Sequence, residues 1–92
     1  GQPTGFFIGT LMFKQSKETR KHQYEMTMRA CKEDGLEAGI ETNFHHYSTQ
    51  MGYLEAALVG GKLTTGEVEQ RAKDLYKAWK DTNKSIRKEC GQ

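Results

Sequence analysis

Thr64 to Cys90, TTGEVEQRAKDLYKAWKDTNKSIRKEC, is the stretch from which the fold is read. Its apolar and small side chains fall at Val68, Ala72, Leu75, Trp79, Thr82 and Ile86, in alternating steps of four and three. That spacing draws one stripe down one side of a helix, and the stripe needs partner helices to cover it. Thr64-Thr65-Gly66-Glu67 has the spacing of a capping box, in which a Thr oxygen and a Glu carboxylate take up the first free backbone amides. Glu67 and Glu69 stand in the first turn and Lys84, Arg87 and Lys88 near the last, each sign facing the opposite pole of the helix dipole.

Two further helices are predicted upstream. The nearer one runs over about Leu36 to Val59 and carries Leu36, Ile40, Phe44, Tyr47, Met51, Leu54 and Leu58, again in fours and threes. Gly39 and Gly52 lie inside it, and close helix packing is the usual reason to keep glycine there. The earlier one covers about Ser16 to Glu33, with Tyr24, Met28 and Cys31 on one face and Lys14, Lys17, Arg20 and Lys21 forming a basic early portion read as a solvated face. Gly35 is placed to end it, and Asp34 to Glu37 repeats the capping-box spacing for the helix that follows. Gly60-Gly61 separates the second helix from the third.

With 92 residues and one proline, the chain is expected to be a single all-α domain: a three-helix antiparallel bundle over 14–92, with an apolar segment over 1–13 as a fourth element. A hydrophobic share of 35% implies a narrow core. Phe6, Phe7, Ile8, Leu11, Met12 and Phe13 form the most apolar patch. They are expected to complete the bundle, to dock on a partner or on a second copy in a homodimer, or to touch a membrane. No basic region precedes this patch, so an intact signal peptide is not expected, and no window reaches the ~20 apolar residues of a full span. A net charge of +2 argues against binding to a nucleic-acid backbone.

Short connections make consecutive helices antiparallel, so the first and third point the same way and their C-terminal ends meet. Cys31 and Cys90 stand in those two last turns, and a disulfide between them is expected, with an oxidising periplasmic or extracellular compartment.

Candidate chemistry is sparse. His22, His45 and His46 come to one level when the first two helices fold back, but His22 and His45 are turned about 200° from Tyr24 and Tyr47, away from the stripes, so no metal or cofactor site is expected. Ser16, Ser48 and Ser85 lie in no nucleophile setting, and no phosphate-binding glycine loop occurs, so no enzyme is expected. Asn83-Lys84-Ser85 fits a glycosylation sequon but lies within a helix. Tyr47 and Trp79 are read as core, whereas Tyr53 and Tyr76 lie off the stripes and are expected contacts for another protein. The function expected is a non-catalytic, exported protein-interaction module: a chaperone-like or accessory factor of an envelope or secretion assembly, or an inhibitor or immunity protein. A metal- or small-ligand-binding bundle is the alternative, and a cytoplasmic nucleic-acid adaptor comes third.

Overall fold

Gly35 and the Gly60-Gly61 pair cut the chain into three helices: α1, Lys17–Asp34; α2, Leu36–Val59; and α3, Thr65–Ile86. A π-helical turn, Arg87–Gly91, continues α3. The computed structural model describes residues 17–91, and the expectations for the apolar segment 1–13 lie outside them. Among the described residues every element is helical.

Each boundary has a local cause. At the end of α1 the Gly35 amide donates to the Cys31 carbonyl at 3.0 Å, with φ at 102°, a conformation that disfavours any residue with a Cβ. The capping box expected from Asp34 does not form: Asp34 stays in the last turn of α1, and Gly35 precedes α2 without any side-chain cap. The α2 terminus is a Schellman motif. Gly61 takes φ of 72°, its amide donates to the Leu58 carbonyl, and the Lys62 amide donates to Ala57 at 2.8 Å. The predicted box at α3 is present, with the Glu67 amide donating to Thr64 Oγ1 at 3.1 Å and the Thr64 amide donating to Glu67 Oε1 at 2.9 Å. Those hydrogen bonds hold the exposed Glu67 carboxyl below its ordinary pKa, the Thr64 backbone amide contributing most.

α2 is the central helix and packs along both others, while α1 and α3 meet less extensively. The α3 stripe sits as expected: Val68, Ala72, Leu75, Trp79 and Thr82 are half-buried and Ile86 is fully buried. On α2 the buried stripe is rotated. Phe44 is 53% exposed and Leu58 40% exposed, and the buried positions are Gly39, Asn43, Leu54 and Ala57. A central helix faces two neighbours, so its inward surface is broader than one line of large apolar residues.

The core is thin, as the composition implies. Met28, Cys31 and Ile86 form a buried cluster with Leu36, Ile40 and Cys90 packed against it. Here Cys31 and Cys90 form the disulfide, with Cα atoms 6.2 Å apart and 59 positions apart in sequence. Close approach requires Gly39: a Cβ at that position would lie 2.5 Å from Cys31 Cβ and 3.2 Å from Ile86 Cγ2. Gly52 has no such reason, since a Cβ there would meet nothing within 4 Å.

Candidate functional site

α2 and α3 are held in register by a polar pair inside their contact. Buried Asn43 donates through Nδ2 to the Trp79 carbonyl at 3.0 Å and to Asn83 Oδ1 at 2.9 Å. A buried amide without partners is costly, so these two bonds select one axial offset between the helices. They also engage the asparagine of the sequon with Asn43.

That register assembles four aromatic rings. Tyr47 stacks on Trp79 with centroids 5.3 Å apart and an interplanar angle of 26°, and Phe44 meets Trp79 edge-on at 6.3 Å. Phe44 and Tyr47 are one helical turn apart on α2, at 6.1 Å. Tyr76 and Trp79 are likewise one turn apart on α3, at 5.7 Å, and Lys80 Nζ lies 5.4 Å from the Tyr76 ring centroid, within cation–π range. Phe44 and Tyr76 are each about half exposed, at 53% and 48%, so the group ends in an aromatic ledge at the surface.

Behind the ledge a cleft of about 100 Å³ opens between the three helices, lined by Arg20, Tyr24 and Thr27 of α1, by His46, Tyr47 and Gln50 of α2, and by Leu75, Ala78 and Trp79 of α3, among others. Trp79 Nε1 is buried without a hydrogen-bond partner. An orphan donor of this kind costs on the order of 1–3 kcal/mol. At the α1 wall, Thr27 Oγ1 and His46 Nδ1 lie 3.4 Å apart in a hydrogen bond. Burial pushes the His46 pKa below 6.5, and the neighbouring His45 and His22 lower it further.

Of the residues expected to bind a partner, Tyr76 joins the ledge. Tyr53 is half-buried and makes no ring contact with it, and Phe6, Phe7, Ile8, Leu11, Met12 and Phe13 lie outside the described residues. Trp79 and Tyr47, read as core, are only half-buried and form the root of the ledge. Phe44, also placed on a core stripe, stands in solvent at its edge. Asn43 and Thr27 escaped the sequence reading because it followed apolar residues, and Asn83 entered it only as part of the sequon, not as the hydrogen-bond partner of Asn43. Asn43 nevertheless falls three after Ile40 and four before Tyr47, which is core spacing.

His22 and His45 are exposed, and no group of three or more His, Cys, Asp or Glu side chains suited to a metal ion occurs among the described residues. No described helix is long and apolar enough to cross a membrane. Comparison with family models, curated proteins and solved structures finds no match for this chain.

Proposed function

We propose that this protein is a non-catalytic, exported helical module that binds another protein through the ledge of Phe44, Tyr47, Tyr76 and Trp79, acting as an accessory factor or inhibitor. The observation that carries the reading is the half-exposed aromatic group on a fixed α2/α3 register. Aromatic side chains offer large contact area for little rotamer entropy, and clustered rings of this kind are typical anchors of protein interfaces. The ordering cost is reduced in advance, because the Asn43 bonds and the Tyr47–Trp79 stack already hold the rings. The Cys31–Cys90 disulfide supports an oxidising compartment, periplasmic or extracellular.

A photo-crosslinking residue at position 76, introduced in the native host, tests both halves. The expected result is one discrete cross-linked protein, lost on Phe44→Ser and absent when the probe stands at exposed Glu55. Equal labelling from both positions would sink the docking reading. Alkylation of both cysteines in intact cells, before lysis, would sink the exported one.

A further inference from the structure

The aromatic ledge is a ridge between two rows of opposite charge. At about 100° per residue, Lys80, Lys73, Lys84 and Lys77 of α3 follow Tyr76 around the helix within about 100°, on the side away from Trp79. Glu69 begins that arc, and Asp74 and Asp81 stand beyond it. On α2, Glu37, Glu55 and Glu41 lie within about 60° of Phe44, on the side away from Tyr47, and the helix carries no Lys or Arg. All of these charged side chains are exposed. α1 packs on the other side of the α2/α3 pair, where Leu75 and Ala78 of α3 and His46 and Gln50 of α2 line the cleft, so Phe44 and Tyr76 stand on the face that α1 leaves open. The acidic row edges that face along α2 and the basic row edges it along α3, about 20 Å apart at two helix widths.

Such a face is complementary to itself. A twofold axis parallel to the helices lays the α2 of a second copy over α3, and its α3 over α2, so that each acidic row meets a basic one. A twofold axis across the helices would set the glutamates against glutamates. The levels agree as well. Asn43 bonds the Trp79 carbonyl and Asn83, so position 43 is level with the turn between 79 and 83, and in antiparallel helices Glu41 is then level with Lys80 and Lys84. The parallel axis preserves those levels, bringing Glu41 of one copy to Lys80 and Lys84 of the other at the rim and Phe44 beside Tyr76 in the middle. With helices of 24 and 22 residues the face measures roughly 700 Å² per copy, close to the ~800 Å² per partner of a standard interface.

We infer that the face carrying the ledge is covered by a second copy of this chain, in a twofold dimer whose axis runs parallel to the helices. The inference rests on the reading of the ledge as a docking surface and says what covers it when no other protein does.

Sedimentation and light scattering of the intact 92-residue chain test it. The wild type should have dimer mass in the high micromolar range at low salt and dissociate as salt rises. Glu37→Lys/Glu41→Lys and Lys80→Glu/Lys84→Glu each place like charges opposite one another, so each should raise the dissociation constant at least about tenfold at unchanged helical content. An equimolar mixture of the two variants should recover the dimer, because opposite charges then meet at both rims. A wild-type chain that stays monomeric would overturn the inference. So would dimers that persist in both variants, which would seat the second copy elsewhere, or folded variants that stay monomeric when mixed. Should either variant lose its helical content, a wild-type dimer indifferent to salt would overturn it instead. A monomeric wild type whose position-76 probe still captures one host protein would remove the dimer and leave the docking reading standing.

Discussion

At the residue scale, two glycines of one helix are predicted to behave in opposite ways. Gly39 lies where α2 presses on the disulfide, and a Cβ there must displace Cys31 Cβ from 2.5 Å or Ile86 Cγ2 from 3.2 Å. Gly39→Ala is therefore expected to destabilise by about 1–3 kcal/mol, the usual cost of overpacking, outweighing the gain in helix propensity. Gly52 faces open space in the middle of the same helix, so Gly52→Ala should stabilise by about 0.5–1 kcal/mol through lost freedom of the unfolded chain. Chemical denaturation of the two variants checks the pair, and equal shifts would contradict the packing at Gly39.

At the element scale, the contact of α1 with α2 includes the Thr27–His46 bond, and it carries a pH dependence. The folded pKa of His46 lies below 6.5, chiefly because burial penalises the charged ring and then because His45 and His22 repel it. The unfolded chain therefore binds the proton more readily. The stability that neutral His46 contributes is fully present above its ordinary pKa, and it falls as pH drops from 6.5 through the folded value. Urea midpoints measured from about pH 8 to about pH 5 should decline across that window, and His46→Gln should flatten the decline. The same slope in the variant would move the effect to other groups.

At the scale of the whole molecule, the disulfide joins the C-terminal ends of α1 and α3, which meet less extensively than either meets α2. Closing a loop of 59 positions is worth about 4 kcal/mol in the chain-entropy model, a large share of the stability of a domain with so thin a core. Cys90→Ala leaves the buried Cys31 side chain in place and so isolates the cross-link. It should lower the melting temperature by about 15–30 °C. Calorimetry of this variant, and of the wild type with and without reductant, measures it. A loss under about 5 °C would mean that packing at Met28, Ile86 and Leu36 already holds that end together.

Local chemistry was legible in the residues themselves. The α3 stripe from Val68 to Ile86, the Thr64–Glu67 box, the helix breaks at Gly35 and Gly60-Gly61, and the Cys31–Cys90 pairing follow from helical period, cap chemistry and the alternation of direction that short connections impose. These depend on near neighbours or on topology alone. The axial rotation of α2 did not follow. Phe44 reads as core and is exposed, while Asn43 beside it reads as polar and is buried. Asn43 is favoured inside because its amide finds the Trp79 carbonyl and Asn83, partners 36 and 40 positions away whose placement exists only once α3 has docked. The aromatic ledge and the cleft behind it depend on that same offset. The sequence determined which helices form and in which directions they run; the tertiary structure decided which face of α2 turns inward, because a buried polar group goes where its hydrogen bonds can be satisfied.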